Sequence, residues 1–264
     1  MCPAAAALQG VGVLVTRPAH QADSLCELIR QQGGTAIRFP VLEIRPPADP
    51  KNLIQLIDHI DEYDWAIFIS ANAVNRALEY ILGKRDWPKS VRIAVIGKRS
   101  AEELKCFGLA ADLFPPHDFN SEALLALAEM QEVGGQRIVI FRGSGGREIL
   151  ADTLRKRDAR VEYVEAYRRE RPHSDSTGLL RRWRQGLVNI VLVNSAESLR
   201  NLVEMLGKDG KSLLTGTPLL VVSERMLALA GELGFQYPPV VADNATDKAV
   251  LDALLAWKQA QSDS

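Results

Sequence analysis

The chain repeats itself at an interval of 125 residues. "IFISANAVNRALEYI", residues 67–81, reads as an apolar strand, a small polar turn and an amphipathic helix, and "VNSAESLRNLVEML" follows the same grammar at 193–206. Ser70-Ala71 falls on Ser195-Ala196, Val74 on Leu199 and Glu79 on Glu204. The opening strand and turn, "VGVLVTRP", repeat as well, with Arg17 falling on Arg142. Solenoid units recur about every 20 to 50 residues, so an interval this long describes two copies of a domain-sized block.

Both copies alternate short β-rich runs with helical patterns, which predicts mainly parallel sheets covered on both faces. Strands are expected over 11–16, 35–44, "DWAIFIS", "VRIAVIG", "QRIVIF", "ARVEYVEAY", "VNIVLV", "PLLVV" and "PPVV". Helices are expected over 22–32, after Ser70, over "RSAEELKCFG" and "SEALLALAEM", and at the matching places of the second copy. "EVGGQ" between the copies reads as a tight loop, whereas "RPPADP" (45–50) and "RRERPHSDS" (168–176) carry the proline and charge breaks of domain boundaries. The expected organisation is therefore a continuous domain, 51–167, inserted into a discontinuous one, 1–44 plus 177–264. The two crossings at 45–50 and 168–176 would form a hinge, with a cleft between two similar α/β lobes.

Composition narrows the partners. Among 264 residues, Lys plus Arg (32) nearly balances Asp plus Glu (33), so bulk charge favours neither nucleic acid nor a membrane surface. No apolar stretch is long enough to span a bilayer, and "MCPAAAALQG" lacks a signal-peptide pattern. Cys2, Cys26 and Cys106 are odd in number and widely spaced, which suits reduced thiols in a cytoplasmic setting. His20, His59, His117 and His173 show no ligand spacing, so no metal site is expected. The apolar residues are accounted for by strand and helix cores, and a monomer is expected.

In open parallel sheets, ligands bind beyond the carboxyl ends of the strands, near helix N-termini with free N–H groups. Those positions are Thr16-Arg17, Ser70-Ala71-Asn72, Gly97-Lys98, Arg142-Gly143-Ser144-Gly145-Gly146, Asn194-Ser195 and Ser223. They are small, hydroxylated or basic, a composition suited to an anion held by backbone amides and guanidinium forks. The same Ser, Asn and Gly residues also serve as helix N-caps without any ligand. "GSGG" lets backbone approach a ligand closely but is neither a dinucleotide fingerprint nor a P-loop. Ser70, Ser144 and Ser195 lack a nearby His, and no paired carboxylates sit at strand ends. Tyr167 in "EAYRRERP" is an aromatic hydroxyl beside the hinge, placed either to reach a ligand or to pack the linker.

Read together and in order, "VLVTRP…L…GG…FPVLEI", "FISANAV", "AVIGKRSAEEL" and "FRGSGGREILADTLRKRDARVEYVEAYRRE" resemble the uroporphyrinogen-III synthase family over residues 11–257. Ile69 and Ser100 stand where threonine is common in the family, and Ser223-Glu224-Arg225 replaces a glycine-containing turn. The resemblance implies two α/β lobes joined by a two-stranded linker. It also implies closure of hydroxymethylbilane, a linear tetrapyrrole carrying eight carboxylates, to uroporphyrinogen III with loss of water and inversion of ring D. No metal or organic cofactor is implied. Tyr167 would then lie at the cleft as proton donor to the departing hydroxyl. Arg17, Lys98 and Arg142 would clasp substrate carboxylates. Two other readings fit a two-lobed α/β chain: a non-catalytic protein closing over a small anion, and a response-regulator-like module. The second lacks the acidic cluster that such modules use to hold a cation.

Overall fold

A computed structural model describes residues 6–262; Cys2 lies outside them. The chain divides into two compact units, 1–43 with 170–264 (unit 1) and 44–169 (unit 2).

Unit 1 contains β1 (Gly12–Val15), β2 (Thr35–Arg38), β8 (Ile190–Val193), β9 (Leu219–Val221) and β10 (Val240–Val241), in spatial order β10-β9-β8-β1-β2 and all parallel. The central strands "GVLV" and "IVLV" are buried throughout because helices cover both faces. With a side-chain period of two, Leu14, Val191 and Val193 pack with α8 (Thr177–Arg184), α9 (Ala196–Thr215) and α10 (Arg225–Leu233). Val13, Val15, Ile190 and Leu192 pack on the other face with α1 (Asp23–Gln31) and α11 (Asp247–Ser262).

Unit 2 orders β3 (Glu43–Arg45), β7 (Arg160–Glu170), β6 (Arg137–Gly143), β4 (Trp65–Phe68) and β5 (Arg92–Val95) as β3-β7-β6-β4-β5. The β4–β5, β4–β6 and β6–β7 pairs are parallel, and Leu113 bridges Ala94 as a rudimentary further strand. Trp65, Ile67, Ile138 and Ile140 pack beneath α5 (Ser121–Leu125), α6 (Ala128–Gln131) and α7 (Ile149–Lys156). Phe68 and Phe141 stack at 4.8 Å between ring centroids. The remaining helices of unit 2 are α2 (Lys51–His59), α3 (Ala71–Leu82) and α4 (Lys98–Cys106).

The 125-residue interval acquires a structural meaning here. Adding 125 moves 12–15 to 137–140, the start of β6, and 65–68 to 190–193, the whole of β8. Counterpart strands therefore lie in different units. Unit 1 combines the front of the first copy (β1, β2) with the back of the second (β8, β9, β10). Unit 2 combines the back of the first (β4, β5) with the front of the second (β6, β7). Each sheet then has one switch point, where helix connections depart in opposite directions: between β8 and β1 in unit 1, and between β4 and β6 in unit 2.

Three local expectations differ from the structure. The strand expected over 35–44 stops at Arg38, and β3 resumes at Glu43 in the other sheet; Pro40, which has no N–H to donate, lies in the gap. The helix expected over 121–130 breaks, with Leu127 extended at ψ 145°. Side-chain donors from Arg157 and Gln131 take the Leu125 carbonyl, each at 2.9 Å, so it is not left for the next helical amide. Helices α2 and α8 were not anticipated, although Leu53, Leu56 and Ile57 bury one face of the first.

β1 is fastened to β8 by the Gly12 N–H, which donates to Asn189 Oδ1 at 2.7 Å. A Cβ at Gly12 would lie 1.7 Å from the Leu187 carbonyl oxygen, so the backbones would have to separate. Gly12→Ala is predicted to cost at least the ~1–3 kcal/mol of an overpacked core site, read as a lowered thermal midpoint. A midpoint equal to wild type would show that this junction is slack.

Candidate active site

The register of unit 2 lines up four residues across its carboxyl edge. Phe68 pairs with Val95 and with Phe141, so two residues on Ser70 lies opposite Gly97 and Gly143, and Gly143 pairs with Tyr167. The row Gly97–Ser70–Gly143–Tyr167 spans the switch point. Strands two apart are separated by about 9–10 Å, yet the Ser70 and Tyr167 hydroxyls meet at 3.1 Å. The intervening glycine allows this, since a Cβ on Gly143 would lie 2.8 Å from Cε2 and Cζ of the Tyr167 ring.

A β-bulge aims the tyrosine. The pairing shifts by one residue between Arg142 and Gly143, leaving Ala166 as the extra residue in β7. Tyr163 packs into the core under α5–α7, and an unbroken strand would send Tyr167, four residues on, to that same face. A one-residue shift reverses the face, which brings the phenol to Ser70 at the start of α3. Tyr167 is 2% exposed, so its ring is a packing element as well as a hydroxyl carrier.

Ser70 is also the N-cap of α3, its Oγ accepting from the Ala73 N–H at 3.1 Å. With that bond made, the Ser70 hydroxyl can donate to Tyr167 Oη, which frees the phenolic proton for a further acceptor. Ala71 and Asn72 form the first turn of α3 and are half-buried; Gly97 is the backbone N-cap of α4, and Lys98 beside it is exposed. Ser144 is exposed, its N–H bonded to the Tyr167 carbonyl and its hydroxyl donating to Glu165 at 3.0 Å.

The two strand-end arginines are buried and already engaged. Arg142, 5% exposed, donates from Nε to the Gly145 carbonyl at 3.0 Å and from Nη1 to Glu148 at 2.7 Å, with its guanidinium 4.4 Å from the centre of the Tyr163 ring. That guanidinium holds the Glu148 carboxyl below the usual carboxylate range. Burial, seconded by the charge of Glu148, pushes the Tyr163 phenol up. In unit 1, Arg17 is 7% exposed and bonds Asn194 Oδ1 at 3.2 Å, the Ala245 carbonyl at 3.1 Å and the Asp247 carboxylate.

Unit 1 presents the scaffold without the hydroxyl pair. Ser195 caps α9, accepting from the Ser198 N–H at 3.1 Å, and Ser223 accepts from the Arg225 N–H at 3.3 Å. At the places of Gly143 and Tyr167, 125 residues earlier, stand Pro18 and Leu42. Two features of this region were missed in the sequence. Phe119, 52% exposed, has its Cβ 3.8 Å from where a Gly97 Cβ would stand, and a cavity of about 200 Å³ lies beneath the loop after β6, bordered by Ile69, Ile96, Ile140 and Tyr163. The apolar spacing of Ile69, Ile96 and Ile140 marks strand faces, but nothing in it signals a void. Among the described residues, no group of three or more His, Cys, Asp and Glu side chains is placed to hold a metal, and no helix is long and apolar enough to cross a membrane.

A family model described as "Uroporphyrinogen-III synthase HemD" matches residues 23–252. The chain belongs to the uroporphyrinogen-III synthase family. It is 36% identical over 246 residues to the uroporphyrinogen-III synthase of Escherichia coli, covering 92% of this chain and all of that one. The Synechococcus elongatus enzyme of the same name is 31% identical over 86% of this chain and 88% of its own. Among solved structures, a mutant uroporphyrinogen III synthase from Thermus thermophilus aligns with a TM-score of 0.62 at 19% identity, covering 96% of this chain and 100% of that one. The Helicobacter pylori synthetase aligns at 0.58 and 11% identity, over 94% and 99%. At those identities the two structures speak for the fold, which is the two-sheet α/β arrangement seen here.

The crossing of Tyr167 over Gly143 yields a direct test. Gly143→Ala should displace the phenol and break its contact with Ser70, at a stability cost of about 1–3 kcal/mol. Tyr167→Phe removes only the hydroxyl and should cost about 0.5–1.5 kcal/mol. Equal thermal midpoints for Gly143→Ala and wild type would contradict the close packing.

Proposed function

We propose that this chain closes hydroxymethylbilane to uroporphyrinogen III, with loss of water and inversion of ring D, and that the edge of unit 2 carries the proton chemistry. The observation that carries this assignment to unit 2 is the Ser70–Tyr167 hydroxyl pair at a switch point, in a family whose relatives bear the synthase name.

The chemistry asks little of side chains. The electron-rich pyrrole expels hydroxide from its hydroxymethyl carbon, and a proton from Tyr167 turns the leaving group into water. The resulting azafulvene carbon bonds to the substituted carbon of ring D, giving a spiro intermediate. That intermediate breaks its older bond and closes again with ring D reversed. The ring proton lost on re-aromatisation restores the phenol, so the net change is loss of one water. In the relay from the Ala73 amide through Ser70 to Tyr167, each donor polarises the next. Control over which carbon attacks is catalysis by orientation, supplied by the amides at the starts of α3 and α4, by the loop 143–147, and by the exposed cation of Lys98.

A positioned general acid contributes about 10²–10⁴-fold, and a leaving group expelled by a pyrrole calls for the lower end. Tyr167→Phe should therefore lower kcat by about a hundredfold while KM changes little, and uncaught substrate should appear as uroporphyrinogen I. The assay is conversion of fresh hydroxymethylbilane with separation of the porphyrin isomers. Wild-type production of isomer III by the Phe variant would remove the phenol from the reaction; absence of isomer III from the wild-type protein would remove the function.

A further inference from the structure

Arg142 and Arg17 occupy one position of the two sequence copies and have similar surroundings. Each is more than nine-tenths buried, each donates to a backbone carbonyl and each pairs with an acid beside a helix start (Glu148 or Asp247); the carbonyl is that of Gly145 in Arg142's own loop, but for Arg17 it is that of Ala245, between β10 and α11. In each case part of the guanidinium fork is committed to the protein's own backbone and to an acid. For Arg142 the effect falls on its own loop.

In unit 2 that effect can be traced atom by atom. Nε of Arg142 faces the carbonyls of both Gly145, at 3.0 Å, and Gly143, at 3.4 Å, drawing them inward. Gly145 and Gly146 adopt φ +70° and +122°, conformations that glycine accepts readily. Gly146 packs so closely that its Cβ would stand 3.1 Å from Arg142 Nη2. With the carbonyls turned to the guanidinium, the N–H groups of Gly145, Gly146 and Arg147 are left without partners among the described residues. The loop then presents amides, and its other end is hydrogen-bonded to the catalytic strand through Ser144 N–H and the Tyr167 carbonyl at 2.9 Å.

We propose that Arg142 is a positioning residue: it does not touch the substrate but holds the loop 143–147 in the one conformation that offers its amides to a substrate carboxylate. In unit 1, Arg17 instead joins Asn194, after β8, to Ala245 and Asp247 at the start of α11. The inference rests on the synthase reading above and alters the role of both arginines from ligand clasp to internal rivet.

Charge and geometry can be separated by substitution. Lysine keeps the cation but cannot reproduce a planar fork spanning two carbonyls and a carboxylate. Arg142→Lys should therefore raise KM for hydroxymethylbilane about tenfold, the weight of one charge-assisted contact, with kcat much less affected. A wild-type KM for the lysine variant would overturn the proposal; a direct fork clasp would also be weakened by lysine, and the Gly145 variants separate it from positioning. A second pair keeps the test decisive should the buried lysine prevent folding. A Cβ at Gly145 meets nothing within 4 Å, so Gly145→Ala disturbs only the backbone conformation. It should raise KM with Arg142 intact, and Gly145→Asn, a larger residue that tolerates positive φ, should lose less than Ala. A wild-type KM for Gly145→Ala would equally overturn the proposal. The wild-type protein in the same assay separates the two levels: without isomer III from it, the synthase reading fails; with isomer III and unmoved KM values, only the positioning role fails.

Discussion

A hydroxyl–hydroxyl contact that spans two strands is possible only because the strand between them carries no side chain. Ser70 and Tyr167 meet at 3.1 Å over Gly143, and the tyrosine reaches that face only because β7 contains one extra residue. Removing the bulge would send the phenol into the core under α5–α7, and adding a methyl group at 143 would push it away from the serine. Local backbone irregularity and a single absent side chain thus decide what the carboxyl edge of unit 2 can do. The rest of the unit supplies rigidity: the fully buried apolar strand β4, Phe68 stacked on Phe141, and a buried guanidinium fastening the loop that follows β6.

Duplication explains how such a site arises on a scaffold that does not otherwise need it. Strands 125 residues apart adopt the same places in the two units, and each copy of the sequence is shared between both. The N-caps Ser70 and Ser195 and the buried Arg142 and Arg17 occur once per unit and maintain the architecture. The pair Gly143–Tyr167 occurs once, because Pro18 and Leu42 hold its counterpart positions. Structure is therefore repeated, while the Ser70–Tyr167 hydroxyl pair stands at the edge of unit 2.

Much of this was legible in the sequence and some was not, for physical reasons. The strand–turn–helix grammar around Ser70 and Ser195 survives without tertiary context, since a small N-cap between an apolar run and an amphipathic helix has few other readings. Strand ends at Thr16, Ser70, Gly97, Arg142 and Asn194 were identifiable for the same reason. The destination of the arginine side chains was not, because a guanidinium beside a glycine loop serves a ligand carboxylate or its own backbone with equal chemistry. Tyr167 was visible as an unusual aromatic hydroxyl, but its facing depends on a one-residue bulge with no local sequence mark. Helix α2, preceded by prolines, showed its Leu53, Leu56 and Ile57 spacing without a side-chain cap to announce it.

The central claim is that Ser70 and Tyr167 act as one unit across Gly143. A double-mutant cycle on kcat/KM, comparing Ser70→Ala, Tyr167→Phe and the double variant in hydroxymethylbilane cyclisation, measures it most directly. If the serine works through the phenol, the second substitution should add little to the first, leaving a coupling free energy of about 1 kcal/mol or more. Losses that add to within about 0.3–0.5 kcal/mol would show two independent side chains and contradict the relay.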